Sequence, residues 1–264
     1  PVERTGNPLD FAIDGEGSQV AWAEADHALR LWKHDGKRRF VGHRDVARLF
    51  ERAMRKLRLP VAFTEGFSPR PKLSFGLALP VAHESEAEYL DVELASPADL
   101  ESLPANLTAA LPDGFTVEAA IAIAPGQPSL QQAITSCDWS IEILGAADAG
   151  IQSAIDKVLA APELPMERIR KGKSAVTDVR PAILHLECAG PTSDGIELVA
   201  SLATETVSLR PAELVQLLGS VLGERPLSEG RTRRLKQWMI VDGARCEPVS
   251  PPGSSTRPAL VRAS

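Results

Sequence analysis

The sequence predicts an α+β fold built from two ferredoxin-like units in tandem, each with the element order β-α-β-β-α-β. The prediction rests on amphipathic helix patterns that alternate with short apolar strand candidates, and on a Pro- and Gly-rich stretch near the middle of the chain. The 264 residues, 44 % apolar and 24 % charged, are typical of a globular protein with one large domain or two small ones.

The first unit is predicted to span residues 26–124. It begins with a strand at 28–41, or with a hairpin that turns at 34–36. Apolar residues at helical spacing predict a helix that ends before Pro60: Val46, Leu49, Phe50, Ala53, Met54 and Leu57. The other predicted elements are strands at 73–79 and 89–94, a helix at 98–111 and a strand at 115–123.

The second unit is predicted at residues 133–246, after a linker at 125–132. Residues 1–25 are expected to form a loose, disordered leader, and the Pro- and Ser-rich residues 247–264 a disordered tail. The predicted elements of the second unit are a strand at 139–144, a helix at 151–159, a basic hairpin at 166–170 and 175–180, strands at 183–188 and 196–202, a helix at 211–222 and a strand at 234–241.

Residues 37–72 are strongly basic inside an acidic chain. Eleven Lys and Arg residues oppose three acidic ones, which gives this block a charge of +8, whereas the whole chain carries −6. A field of this kind attracts polyanions, RNA and DNA above all. The alternative is a solvated helix face whose arginine stems cover apolar surface.

Four arginines recur on one side of the first predicted helix: Arg44, Arg48, Arg52 and Arg55. Guanidinium groups in a row suit phosphate binding, because each planar fork can hold two phosphate oxygens. Glu51 is expected to pair with Arg55 and to neutralise part of this charge.

The segment 64–72 has no helix or strand pattern and predicts a stiff, cationic loop. Gly66 and Ser68 offer hydrogen-bond donors, and Arg70 and Lys72 add charge. Phe67 is the candidate for stacking on a base, whereas Phe63 in front of the loop is expected in the core. The order of residues excludes a nucleotide-binding P-loop.

Two further basic clusters follow in the second unit. The first is on the predicted hairpin, and the second enters the last strand. If the two units pack sheet edge to sheet edge, all three clusters could line one groove. The members are Arg168, Arg170, Lys171 and Lys173 in the first, and Arg231, Arg233, Arg234 and Lys236 in the second.

Candidate catalytic residues are few. His43 at the helix start could serve as an acid or base or simply as a cap, and the helix dipole accounts for Asp45. Glu86 and Glu88 are expected on a solvated strand face. Three scattered cysteines, without metal-ligand spacing, favour a cytoplasmic protein with no metal, and no apolar run reaches the length of a membrane helix.

Three segments carry a resemblance to a known family: 40–45 (FVGHRD), 59–71 (LPVAFTEGFSPRP) and 85–89 (SEAEY). They resemble the radical-SAM-associated (radical-SAM-linked) domain family of unknown function in its standalone form, whose signature is F-x-[ST]-H-x-D, L-P-x-x-x-[ST]-x-G-F-x-P-x-P and S-x-x-E-Y. Residues 178–181 (DVRP) fit more weakly. Gly42 stands where the family has Ser or Thr, so the helix start lacks a hydroxyl cap.

The resemblance implies a radical SAM enzyme as partner. This chain lacks CxxxCxxC, so the iron–sulfur cluster and S-adenosylmethionine are expected on that partner and no cofactor in this chain. Some bacterial members are encoded near ribonuclease E/G and ribosomal-protein genes, which points to RNA. The leading hypothesis is therefore a bacterial RNA-binding accessory or substrate-recognition protein in RNA modification or processing, acting on structured RNA such as ribosomal or transfer RNA.

Two other functions stay open. One is a docking module whose basic face binds the radical SAM protein, and the other is a metal-independent RNA endonuclease in which His43 activates the 2′-hydroxyl. An enzymatic role is therefore left undecided. The residues expected at the RNA are Arg38, Arg39, Arg44, Arg48, Arg55, Phe67, Ser68, Arg70, Lys72, Arg170, Lys171 and Lys173.

Overall fold

The computed structural model shows a mixed α+β fold with one large sheet. The described residues are 11–13, 19–21, 31–34, 42–123, 129–145, 148–170, 172–223, 227–241 and 243–248.

The first half contains seven strands and two helices within these residues. Their bounds are β1 Phe11–Ile13, β2 Gln19–Ala21, β3 Leu31–His34, α1 His43–Lys56, β4 Leu73–Phe75, β5 Glu84–Glu88, β6 Leu90–Val92, α2 Leu103–Ala110 and β7 Phe115–Ala119.

The second half is richer in long strands. Its elements are α3 Leu130–Ala133, β8 Ile134–Leu144, α4 Asp148–Ala160, β9 Pro165–Arg170, β10 Lys173–Asp178, a 3₁₀ turn Arg180–Ala182, β11 Ile183–Pro191, β12 Gly195–Ala203, α5 Pro211–Leu222, β13 Ser228–Val241 and β14 Ala244–Cys246.

A single eight-stranded sheet runs through both halves. Its strand order is β11-β12-β8-β13-β5-β3-β7, with β14 paired to β13. The halves meet where β13 lies parallel to β5, with Arg233 opposite Glu84 and Arg234 opposite Ser85. β4 and β6 form a separate two-stranded sheet, as do β9 and β10. The division into tandem ferredoxin-like units, with the boundaries given above, stays a prediction.

Helix α1 confirms the helix that the apolar spacing predicts. Val46, Phe50, Ala53 and Met54 are buried and pack with α2 and β6. Gly42 is the N-cap, and its carbonyl oxygen accepts the backbone N–H groups of Asp45 and Val46 at 2.9 and 3.0 Å. Glycine thus serves as a cap through its backbone alone, as its substitution for Ser or Thr predicts.

The core of the second half lies between the large sheet and two helices. Ile141 on β8, Ile155 on α4 and Leu218 on α5 are among its fully buried residues. Helix α5 occupies the predicted residues 211–222 with Pro at its first position, where the missing N–H costs nothing. It ends at Gly223, whose φ of 67° is the left-handed conformation that favours glycine.

Several predicted boundaries are wrong for local reasons. Helix α2 starts five residues later than predicted, because the Asp99 side chain accepts the backbone N–H groups of Glu101 and Ser102 and holds a turn there. The strand predicted at 89–94 begins earlier as β5, and the one at 73–79 ends at Phe75. β1 and β2 pair within the predicted loose leader. The turn at 34–36, residues 124–128 of the linker region and nearly all of the predicted tail lie outside the described residues.

Candidate functional site

Four arginines form what we call the arginine face of α1. Steps of four, four and three residues place them within about 80° of each other around the helix and along about 16 Å of its axis. The buried side of the helix is opposite, so all four side chains are exposed: Arg44, Arg48, Arg52 and Arg55.

The arginine face keeps nearly all of its charge. Arg48 pairs with Asp45 at 3.2 Å, but the two side chains are 71 % and 63 % exposed, so this pair contributes little. Arg52 donates from Nε to the backbone oxygen of Arg48 at 3.3 Å. The expected pair between Glu51 and Arg55 is absent, although both residues are described.

His43 begins the helix beside the arginine face. Its ring is exposed and meets the Phe75 ring edge to face at 5.1 Å between centroids. Asp45 accepts a hydrogen bond from Arg48 and lies in the first turn, where the helix dipole favours a carboxylate. These contacts account for both residues structurally. Within the described residues, neither His43 nor Asp45 is hydrogen-bonded to a His, Asp or Glu that could share a catalytic proton transfer.

Residues 64–70, here called the tip loop, are closed by hydrogen bonds at their base. Thr64 donates its N–H to the Arg70 oxygen at 2.8 Å, and the Arg70 N–H reaches the Thr64 hydroxyl at 3.0 Å. Gly66 has a φ of 119°, a conformation that L side chains rarely adopt. The ends of the tip loop are therefore held together. The loop follows the C-terminal end of α1 after residues 57–63.

Phe67 stands at the end of the tip loop and is fully exposed. Phe63 in front of the loop is 54 % exposed, so the expectation that it lies in the core is wrong. Burying a phenylalanine contributes about 2 kcal/mol, which Phe67 does not gain within the chain. Ser68 and Arg70 are exposed beside it. The loop thus presents an aromatic ring, a hydroxyl and a cation to the surroundings.

The other residues expected at the RNA separate into two groups. Lys72 pairs with Glu93 at 2.5 Å, so its charge is largely satisfied within the fold. Arg38, Arg39 and Lys171 lie outside the described residues, as do the side chains of Arg170 and Lys173 at the turn of the β9–β10 hairpin.

The β9–β10 hairpin itself confirms the predicted one, but its described arginine is structural. Arg168 donates to the Glu213 carboxylate at 2.9 Å and to the Ser208 backbone oxygen at 2.7 Å. Its side chain is 10 % exposed, so it fastens the hairpin to the start of α5 and offers no surface charge.

The basic cluster predicted near the last strand belongs to the joint between the halves. β13 brings three arginines beside three glutamates of β5, and we call this set the junction cluster. Arg231 reaches Glu84 through three hydrogen bonds of 2.8 to 3.1 Å, and Arg233 joins Glu84 at 3.3 Å and Glu86 at 2.7 Å. The idea that this cluster lines an open basic groove is therefore wrong.

The third pair of the junction cluster is buried. Arg234 donates to Glu88 at 2.8 Å, to the backbone oxygens of Leu77 and Ala78, and stacks on the Trp139 ring at 4.9 Å. The two charged side chains are 3 % and 8 % exposed. Burial raises the pKa of Glu88, while Arg234, Ser85 and His43 act against that rise. The expectation that Glu88 lies on a solvated strand face is wrong.

Two more polar groups surround this junction. His83 is buried, contacts the Trp139 ring edge-on and pairs through Nε2 with Glu229 at 3.0 Å. Burial opposes the charge on Glu229, but its contacts with His83 and Thr232 outweigh that effect and lower the pKa of Glu229. Burial also raises the pKa of the Cys137 thiol to about 11, so this cysteine stays protonated and unreactive at neutral pH.

Asp178 and Arg180, from the weaker resemblance at 178–181, have a local structural role. Asp178 accepts the backbone N–H groups of Leu164 and Arg180, and these hydrogen bonds lower its pKa. Arg180 donates to the backbone oxygens of Ile183 and Leu159. The pair closes the turn between the β9–β10 hairpin and β11.

The described residues contain no group of three His, Cys, Asp or Glu side chains placed to hold a metal ion. Within the same residues, no helix combines the length and apolar composition of a membrane span. The arginine face and the tip loop expose cations and an aromatic ring, which can bind phosphates and stack on a flat group.

Comparison with known proteins gives a family and a distant structural likeness. No curated protein matches the chain. A chain in the crystal structure of a Cbf5-Nop10-Gar1 complex is similar at 12 % identity and a TM-score of 0.49; the match covers 88 % of this chain and 55 % of that chain. A family model matches residues 29–211, which include the three motif segments and residues 178–181. The chain belongs to this family, described as an uncharacterized protein conserved in bacteria (DUF2344).

Proposed function

We propose that this protein binds structured RNA through the arginine face of α1 and the tip loop. The observation that carries the proposal is the exposure of both features: arginines on one side of a helix, and a loop of defined shape that presents Phe67. Residues 42–72 hold eight Lys and Arg against three carboxylates, and of these eight only Arg48 and Lys72 form ion pairs with other described residues. Such a surface favours a polyanion.

The strand order bears on the fold that would carry this surface. In the second half, α4 connects β8 to β11 and α5 connects β12 to β13, and the sheet order is β11-β12-β8-β13. In the first half, β5, β3 and β7 are adjacent, and β6, which follows β5, pairs with β4. We infer two ferredoxin-like units whose outer strands join, with α1 on the first unit as the helix that carries the RNA-binding surface.

The resemblance to radical-SAM-associated proteins extends the proposal to an accessory role. The chain would present RNA to a separate radical SAM enzyme, which would carry the iron–sulfur cluster and S-adenosylmethionine. In this division of labour the present chain supplies recognition, and the partner supplies the chemistry of modification or processing.

The test of RNA binding is a charge reversal on the arginine face. Fluorescence anisotropy with a labelled RNA hairpin should show binding that weakens steeply with salt in the wild type. Arg48→Glu/Arg55→Glu should weaken binding at least about tenfold and reduce the salt slope by about one per lost phosphate contact. Lys157→Glu reverses one exposed charge on α4 of the second half; it is the control and should bind as the wild type does. An unchanged affinity of the double variant refutes the proposal.

Exposed Phe63 and Phe67 favour one other function, which is docking on a protein. In that case the purified radical SAM protein would bind this chain after nuclease treatment, and Arg48→Glu would reduce that binding. Retention of RNA affinity by the same variant would assign the surface to the protein partner.

A further inference from the structure

The backbone of the tip loop, which carries Phe67, is restrained at its base. Three contacts close its base: the two hydrogen bonds between Thr64 and Arg70, and the Lys72 N–H to the Ala62 oxygen at 2.8 Å. Pro69 and Pro71 restrict the returning strand, and Gly66 permits the tight turn. A loop backbone restrained in this way loses less conformational entropy when a partner covers Phe67.

The surroundings of Phe67 favour a flat partner. Its neighbours Glu65, Gly66, Ser68 and Pro69 provide small or polar surface, and each is exposed. Protein-binding aromatic anchors usually lie within a patch of other apolar contacts that exclude water. The sequence neighbours of Phe67 form no such patch, and Arg70, three residues further on, is an exposed cation, so this setting suits stacking on a nucleobase.

Stacking requires a base that is not already stacked. In an RNA duplex the bases are paired and their faces are covered, so the arginine face could hold duplex phosphates while Phe67 would find no partner. Unpaired bases in loops and bulges can turn outward and stack on aromatic side chains. The combination of a cationic helix face and an exposed ring on a restrained loop therefore selects one class of RNA.

We propose that the site recognises an unpaired segment of RNA beside a paired stem, with Phe67 stacked on an unpaired base and the arginine face on backbone phosphates. This inference rests on the proposed function. It adds the class of RNA and assigns Phe67 the discrimination between unpaired and paired bases.

The experiment uses the full chain and three labelled RNAs of equal length and charge: a stem with an unpaired loop, the same stem-loop with abasic sites in the loop, and a fully paired duplex. The wild type should bind the intact stem-loop about tenfold more tightly than the other two, as one stacked base predicts. Phe67→Ala should lose this preference and keep its affinity for the duplex, whereas Phe67→Trp should retain the preference.

Ile169→Ala on the β9–β10 hairpin removes another largely exposed apolar side chain and is the control, which should keep the preference. Equal wild-type affinity for all three RNAs, or an equal loss on every RNA in Phe67→Ala, overturns the inference while RNA binding stands. If no RNA binds and Arg48→Glu/Arg55→Glu has no effect, the proposed function itself fails, and this inference with it.

Discussion

The arginine face of α1 and the arginines of β13 place the same residue type in opposite situations. On α1 the guanidinium groups are exposed, and the acidic partner that the described residues give them is the likewise exposed side chain of Asp45. On β13 Arg231, Arg233 and Arg234 meet three glutamates of β5, and Arg234 is buried with Glu88. One set is free to bind a ligand, and the other joins the two halves of the sheet.

The difference shows that the function of a basic cluster depends on the acidic residues that the fold brings to it. The glutamates of β5 precede the arginines of β13 by about 150 positions, so no local charge count connects them. The comparison predicts that changes on β13 affect the stability of the fold, while changes on α1 affect binding alone.

The largest effect should come from Arg234. Arg234→Met leaves the Glu88 carboxylate buried without its cation, which typically costs about 3–5 kcal/mol. The free energy of unfolding from urea titration should fall by that amount. The double variant Arg234→Met/Glu88→Leu is the control, because replacing both charges with apolar groups should recover most of the loss. A loss below about 1 kcal/mol in the single variant would contradict the structural role of the pair.

The next largest effect should be a pH dependence of stability that comes from the raised pKa of Glu88. Because its pKa is raised in the folded state, the native protein holds a proton that the unfolded chain releases, and stability falls as pH rises from the ordinary glutamate pKa to the folded one. Glu88→Gln has no titrating carboxyl group at this position, so its stability does not fall with pH for this reason. The stability of the wild type minus that of Glu88→Gln should therefore be largest at low pH and shrink across this window.

Subtracting the stability of Glu88→Gln from that of the wild type cancels the contributions of titratable groups that the two proteins share. Asp178, Glu142 and Glu229 have lowered pKa values, so they cost both proteins stability as pH falls, which is the opposite sign. Urea titrations at a series of pH values provide the measurement. A difference that is constant, or that grows with pH, would show that Glu88 is not the group with the raised pKa.

A smaller loss of stability is expected for Arg231→Gln. The Arg231 side chain is more than half exposed, and Arg233 still contacts Glu84 when Arg231 is removed. The free energy of unfolding should fall by about 1 kcal/mol. Because salt screens exposed charges more than buried ones, 1 M NaCl as a test condition should narrow this loss but leave that of Arg234→Met nearly intact. If salt reduced the two losses of stability equally, the distinction between exposed Arg231 and buried Arg234 within the junction cluster would not hold.

The sequence predicts well those elements that depend on the spacing of residues close together in the chain. The apolar period of α1, the Pro at the start of α5 and the hairpin at β9 and β10 are confirmed because each depends on neighbouring residues. β5 was not predicted as a strand of its own, because its sequence ESEAE has the composition of a solvated surface. Its burial depends on the arginines of β13, which only the tertiary fold supplies. Likewise, the exposure of Phe63 follows from the shape of the tip loop, which composition does not define.

The smallest effect on folding should come from the arginine face. Arg44→Ala removes an exposed side chain for which the described residues provide no ion pair, and alanine has the higher helix propensity. The free energy of unfolding should change by no more than about 0.5 kcal/mol, in contrast to every change in the junction cluster. The same variant should weaken binding of the stem-loop RNA and lower its salt slope by about one. A loss of stability comparable to that of Arg231→Gln would mean that the arginine face, too, serves the fold, and the contrast between the two regions would no longer hold.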